Sequence, residues 1–343
     1  MVETFRMSAP ESADYLGKGA FGIVYKASLE DSSNITKIQP KEVAMKVIRL
    51  SDKRTMKKYQ KKEVEFYGLL SDSETGMIDH ENIIQYLGFV DIQKNNSHCV
   101  YMELCDMTVA KAMFETPEIE EDRRIFLKHI TLGVCRGVNH LHTHGIIHRD
   151  IAPNNILLKF EKNDELRPTV KVADFNVYTI HDAERRENQS HTVDIGQASY
   201  RAKEVRELMC GRESEEKAIY GCAVDVWSIG AVVYEMETRK IFMTLNERKL
   251  WAEEQFNTQQ KIKSTIRNQQ LQSFLIWCLQ WSPHARHTCR ELLKHEYLTS
   301  AVEMVPLEGG DCTVTRESKY SNATRRRKGE KEKPMLFTQT SKE

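Results

Sequence analysis

The chain has no excess of either charge. Its 50 basic and 50 acidic residues cancel over 343 positions, so no global field recruits nucleic acid or an anionic membrane, and partners must be chosen locally. The eight cysteines are scattered without a C-x-x-C pair, which removes the spacing a structural zinc site needs. Met1 to Pro10 lacks the apolar run of a secretory signal, and no window reaches the length that spans a bilayer. The expectation is reduced thiols in a chain that is cytoplasmic, nuclear or both, with no membrane partner. No internal repeat is visible. What is present is a hydrophobic content of 40%, ordinary for a globular protein and sufficient for two cores.

The pattern changes once along the chain. Residues 15 to 50 alternate apolar and polar as strands do, with Asp31 to Gln39 as a polar connection. Lys57 to Leu70 reads as a helix, and strands return at Ile83 to Ile92 and Cys99 to Leu104. After Asp106 the periodicity is helical: Arg123 to His142 is amphipathic, Ala223 to Glu237 is apolar enough to be buried, and Leu271 to Leu279 and Arg290 to His295 continue it. From Thr299 to Glu343 polar and charged residues dominate, which predicts a disordered tail. Arg325 to Lys328 in that tail is a solvated charge run, a nuclear import signal or an anionic docking patch, and Glu330 and Glu332 dilute its charge.

The chemistry is concentrated in His148-Arg149-Asp150-Ile151-Ala152-Pro153-Asn154-Asn155, with Asp174-Phe175 nineteen residues after Asn155. Phosphoryl transfer from ATP needs one carboxylate to accept a hydroxyl proton. It also needs a second carboxylate and an amide oxygen to hold magnesium ions on the triphosphate. Asp150, Asp174 and Asn155 are of the right type for those three roles. Upstream, Leu16-Gly17-Lys18-Gly19-Ala20-Phe21-Gly22-Ile23-Val24 is a G-x-G-x-x-G-x-V loop, and Val43-Ala44-Met45-Lys46 is close to V-A-I-K. Each piece alone is common; the ordered set is not.

In that order the chain resembles a eukaryotic protein kinase of the Ser/Thr type over residues 11 to 298. The resemblance implies an α+β, two-lobed protein kinase fold: a small β-rich lobe with one helix at about 11 to 104, and a larger helical lobe at about 106 to 298. Residues 1 to 10 form an extension and 299 to 343 the tail. It implies ATP and Mg2+ as cofactors, with Asp150, Lys46 and Glu63 as catalytic residues and Asn155 and Asp174 as metal ligands. Leu16, Gly17, Gly19, Gly22, Val24, Ala44, Lys46, Met102, Glu103, Cys105 and Leu157 are implied at the nucleotide, with Met102 as gatekeeper and Glu103 to Cys105 offering backbone groups to adenine. The implied partners are a protein substrate and an activating protein or upstream kinase; no nucleic-acid-reading module is recognisable. His140, His142, His144 and His148 are crowded, yet they belong to a helix end and the catalytic loop and read as structural, with His148 bracing the loop.

Four positions depart from the family pattern. Ala152 stands where a lysine neutralises the γ-phosphate, and Gln197 where a threonine touches that lysine; Gln197 is expected to donate an N–H to Asp150. Asn176 replaces the glycine after Asp174-Phe175, a position at which asparagine tolerates φ > 0. Lys203 replaces the proline of A-P-E, which is expected to loosen that segment while Glu204 and Arg286 keep their ion pair. Tyr200-Arg201-Ala202 resembles the cyclin-dependent and mitogen-activated kinase group, and Thr192 is then a phosphosite candidate. The departures keep open a rival reading, a nucleotide-binding pseudokinase that works as scaffold or allosteric activator.

Overall fold

The computed structural model describes residues 14–19, 22–29, 41–49, 62, 65–66, 79–92, 97–115, 120–161, 164–180, 197–205, 221–244 and 257–300. All lie within one compact unit, Met1–Ala301. The tail, its basic cluster and the connection at Asp31 to Gln39 lie outside the described residues. Of the helix expected at Lys57 to Leu70, Lys62, Glu65 and Phe66 are described, and all three are helical.

The first part is an antiparallel sheet of β1 (Tyr15–Lys18), β2 (Ile23–Leu29), β3 (Lys41–Arg49), β4 (Tyr86–Ile92) and β5 (Ser97–Glu103), in the order β1-β2-β3-β5-β4. Alternation along β3 and β5 sends residues to two different cores. Val43 and Met45 pack with Cys99 and Tyr101 on one face. Ala44 and Ile48 join Val100 and Met102 in the main core on the other face. Lys46, with the parity of Ala44 and Ile48, is therefore carried to the side where the two halves of the protein meet.

The strand expected from Ile83 begins three residues later. Ile83 and Ile84 are both buried, and two consecutive buried residues cannot share the one covered face of a strand. Ile83 instead bridges Val172 in parallel, while the Ile84 N–H donates to Val172 O at 3.0 Å and the Val172 N–H donates to Asn82 O at 2.9 Å. The sheet is thereby tied directly to the strand that leads to Asp174.

Helices dominate the second part: α1 (Val109–Glu115), α2 (Glu120–Thr143), α3 (Ala223–Thr238), α4 (Thr258–Thr265) and α5 (Gln269–Cys278). The helix expected at Arg290 to His295 is two short ones, α6 (Cys289–Leu292) and α7 (Glu296–Thr299), because the His295 ring turns back to accept the Tyr297 N–H at 3.0 Å. Helical periodicity did not announce the strands among these helices, one just before α1 and the others between α2 and α3. β6 (Met107–Thr108), β8 (Ile156–Glu161) and β9 (Asp164–Val172) form one sheet, and β7 (Ile146–Ile147) pairs with β10 (Thr179–Ile180). Burial of α3 is as expected: Trp227 and Tyr234 are fully buried and meet Phe242 edge to face at 5.9 and 5.0 Å.

Two glycines on α2 allow β9 and the Asn82 segment to approach. A Cβ on Gly137 would stand 2.5 Å from Asn82 O, and one on Gly133 would stand 2.6 Å from Val170 Cβ. The Gly137 contact is with backbone that is itself pinned to Val172, so it has little room to yield. Gly137→Ala is expected to cost about 1–3 kcal/mol by overpacking, measured by urea denaturation. A loss below about 0.5 kcal/mol would show that the Asn82 segment moves freely.

Candidate active site

The site is built outward from Asp225, in the first turn of α3. It is completely buried, yet both of its oxygens are occupied. Oδ1 accepts the Arg149 N–H at 2.7 Å, and Oδ2 accepts the His148 N–H at 2.8 Å and the His142 Nε2–H at 2.9 Å. Burial alone would raise the Asp225 carboxyl, but the hydrogen bond and charge of His142 outweigh it and hold the group below the usual carboxylate range. The His142 imidazole is correspondingly raised, against its own burial, by Cys289 and by the Asp225 bond. The carboxylate fixes a turn in which Arg149 has φ 68°, a conformation that a non-glycine residue seldom adopts unaided.

From this turn His148 reaches forward. Its Nδ1 accepts the Asp150 N–H at 3.2 Å and its Nε2 donates to Ala173 O at 3.1 Å, so one ring joins the loop of Asp150 to that of Asp174. The brace expected of His148 is present. The Asn155 amide donates to both Asp150 O and Asp150 Oδ2 at 2.8 Å, and the Gln197 N–H donates to Asp150 Oδ1 at 2.8 Å. Gln197 thus meets Asp150 as expected, through its backbone. Burial and then the Asp174 charge push the Asp150 carboxyl up to about 7, against the pull of Gln197, Asn155 and Arg201. A carboxylate that titrates near neutrality is suited to accepting a proton. Ala152, two residues on, is fully buried, so a lysine there would have to part its neighbours.

Asp174 Oδ1 accepts from Lys46 Nζ at 3.2 Å and from the Asn176 amide. Here one expectation is corrected. The left-handed residue of the turn is Asp174 itself, at φ 69°, and Asn176 is not among the positive-φ residues. Asn176 acts through its side chain, which is buried. Phe175 is buried in a column of rings, stacked on Phe66 at 3.9 Å and meeting His148 at 4.9 Å, so the Asp174 turn is packed against both halves of the protein. Arg149 Nε and Nη2 donate to Val177 O and Tyr178 O at 2.5 and 3.2 Å, and Lys62 Nζ shares Tyr178 O at 3.2 Å.

The other expected residues lie on the first sheet and on the strands that follow it. Val24 pairs with Gly17 and with Lys46, and Ala44 pairs with Met102; Val24, Leu157 and Cys105 pack against the main core, while Leu16 on β1 is exposed. The Gly19 N–H donates to Gly22 O at 2.9 Å, closing the turn, and a Cβ on Gly22 would stand 2.6 Å from Val47 O. Gly17 and Gly19 meet no such obstacle among the described residues. Glu103 also ties the cleft to the strands behind it. Its N–H donates to Gln85 O at 3.0 Å, and its carboxylate accepts the Gln85 N–H at 2.9 Å and pairs with Lys171 at 2.7 Å and Lys159 at 3.4 Å. Among the described residues the N–H and C=O of Cys105 have no partner, which leaves them to a planar polar edge. Burial pushes the Cys105 thiol up to about 12.

Glu204 and Arg286 form the expected pair, two parallel bonds of 2.6 and 2.9 Å. Lys203 makes an attachment of its own: its ammonium lies 3.8 Å from the Trp281 ring centroid, a cation–π contact that proline cannot make. Glu63, Phe21 and Thr192 lie outside the described residues. Asp225 and Lys171 were not anticipated, whereas His142, read as structural, is the histidine that holds Asp225. The signal for Asp225 was a lone acid in the apolar run Ala223 to Tyr234, since an acid in a helix expected to be buried needs donors around it. Lys171, between Val170 and Val172, carried the same kind of signal.

The side-chain oxygens of Asn155 and Asp174 are hard donors, which fit a magnesium-type cation better than a soft one. The sequence model described as "Protein kinase domain" matches residues 11–298. Among curated proteins the chain is similar to cell division control protein 7 of Schizosaccharomyces pombe, 30% identical over 87% of this chain and 24% of that protein. It is also similar to mitogen-activated protein kinase kinase kinase 4 of Mus musculus, 28% identical over 82% and 16% respectively. Serine/threonine-protein kinase TAO3 of Pongo abelii is 28% identical over 82% and 28%. The chain therefore spans under a third of the length of these relatives. Among the described residues no helix is long and apolar enough to cross a membrane.

Removing the carboxylate that holds His148 and Arg149 leaves buried donors unpaired. Asp225→Ala is expected to cost about 3–5 kcal/mol, read from urea denaturation. A loss under about 1 kcal/mol would mean that the turn at Arg149 is held by other contacts.

Proposed function

The chain belongs to the protein kinase domain family, and on that premise we propose that it transfers the γ-phosphate of Mg-ATP to a serine or threonine hydroxyl of a protein. The observation that carries the reading is the setting of Asp150. Its two oxygens are held by the Asn155 amide and the Gln197 N–H, which leaves the carboxylate oriented to receive a hydroxyl proton. Lys46 then serves the nucleotide phosphates, steadied by Glu63, and Asp174 and Asn155 hold the metal. Bound magnesium neutralises charge on the triphosphate. Leu16, Val24, Ala44 and Leu157 enclose the base beside Met102, and the polar edge of adenine meets Cys105 and Glu103 O. Gly17, Gly19 and Gly22 let backbone N–H groups approach the phosphates.

The assignment places an extension at 1–10, the kinase domain at 11–298 and a tail at 299–343, in a protein of the cytoplasm or nucleus that acts on protein substrates under an upstream kinase or activating protein. The rival, a pseudokinase scaffold, draws support from Ala152, where the buried methyl offers no cation to the γ-phosphate. The retained Lys46, Asp150, Asn155 and Asp174 favour the enzyme. Clamping groups are each worth a few kcal/mol in such reactions, so turnover is slow.

Asp150→Asn is expected to lower turnover by roughly two to four orders of magnitude while ATP affinity stays close to wild type, measured by radiolabel transfer and nucleotide titration. Equal turnover in the two proteins would move the reading to the pseudokinase. Thr192, as a phosphosite, would place a dianion near the Arg149 guanidinium and order the substrate-facing segment. Thr192→Ala should lower turnover and leave ATP affinity unchanged; normal activity, with no phosphate on Thr192 by mass spectrometry, would end that assignment.

A further inference from the structure

We infer that Asn176 makes Asp174 a one-sided metal ligand, occupying its Oδ1 so that a divalent cation is left Oδ2. The inference rests on the reading of Asp174 as a metal ligand and concerns how that ligand is presented. A carboxylate oxygen has about two lone pairs. Oδ1 of Asp174 has two donors, Lys46 Nζ at 3.2 Å and the Asn176 Nδ2–H. Among the described residues Oδ2 has none, so both of its lone pairs remain open.

The amide orientation is determined by its surroundings. Asn176 is 2% exposed, and its own Oδ1 finds no donor among the described residues. Exchanging the two amide atoms would aim that oxygen at the Asp174 carboxylate, two acceptors in contact. The amide therefore keeps its N–H on Asp174 even though its oxygen goes unpaired. The glycine of the family pattern has no side chain with which to do this, and Asp174, held at φ 69° with Phe175 packed behind it, cannot turn its carboxylate away without disturbing that turn. If Lys46 shifts to nucleotide phosphates, Asn176 is the donor that stays. Asn176 is thus a positioning residue that restricts Asp174 to one metal-binding oxygen and weakens the site for a second cation.

The test is a Mn2+ titration of the protein–ADP complex followed by electron paramagnetic resonance, which reads metal binding without turnover. Asn176→Gly and Asn176→Ala should both bind Mn2+ roughly tenfold more tightly, the scale expected when a hydrogen bond to a charged acceptor is removed from competition. Asp174→Ala should lose the protein-bound Mn2+. If both Asn176 variants keep a native thermal transition and bind Mn2+ as wild type does, or more weakly, while Asp174→Ala loses it, the inference is overturned and the metal-site reading stands. If Asp174→Ala still binds Mn2+, the metal-site reading itself falls and takes the inference with it.

Discussion

The two N–H groups that Asp225 accepts from His148 and Arg149 are the constraint on which the site depends. A hydrogen bond to a charged acceptor is worth about 1.5–3 kcal/mol, and here two consecutive backbone donors converge on one buried carboxylate. That convergence offsets the strain of the left-handed Arg149, and so sustains the reversal that sends Asp150 toward the cleft. The carboxylate can work only if α3 does not move. The helix is walled by Trp227, Tyr234 and Phe242 and tied at its start by Arg286, which donates to Ala223 O at 3.0 Å while paired with Glu204. The apolar core therefore sets the position of the chemistry through a single acid.

A second dependence runs along the ring of His148. It accepts an N–H from the loop of Asp150 and donates one to the loop of Asp174, and it meets Phe175, which stacks on Phe66. Displacing any of these rings would disturb both acids at once. The near-neutral carboxyl of Asp150 has the same origin: it is buried and close to Asp174, and the donors offered to it by Gln197 and Asn155 are neutral.

Part of this was legible in the sequence, because motif order encodes what must converge: Lys46 meets Asp174, Asn155 meets Asp150, and His148 joins the two loops, although only short patterns mark them. The α3 helix was legible from its apolar run. Asp225 was hidden within that run, since periodicity averages a residue into its helix and cannot say that its partners are backbone groups 76 and 77 positions earlier. β8 and β9 were missed for a related reason. They sit between helices, in a stretch where the surrounding periodicity is helical. Ile83 was placed in β4 because adjacent apolar residues extend a strand on paper, whereas its real partner is Val172, which only the tertiary fold supplies.

The departures from the family pattern have separate physical characters. Ala152 removes a charge and leaves a buried methyl. Gln197 contributes its backbone N–H, which any residue but proline can donate, so the contact with Asp150 does not depend on which side chain stands there. Lys203 exchanges a rigid backbone for a cation over Trp281, keeping the segment that holds Glu204 attached by different means. Asn176 adds a donor beside an acid. Lys203 and Asn176 therefore add side-chain contacts to their loops, Gln197 leaves its backbone contact unchanged, and only Ala152 is a plain loss. For a site whose scaffold is set by Asp225 and Arg286, that is the expected pattern: geometry is held from below by the core, which leaves the residues facing the cleft free to vary in charge without moving Asp150 or Asp174.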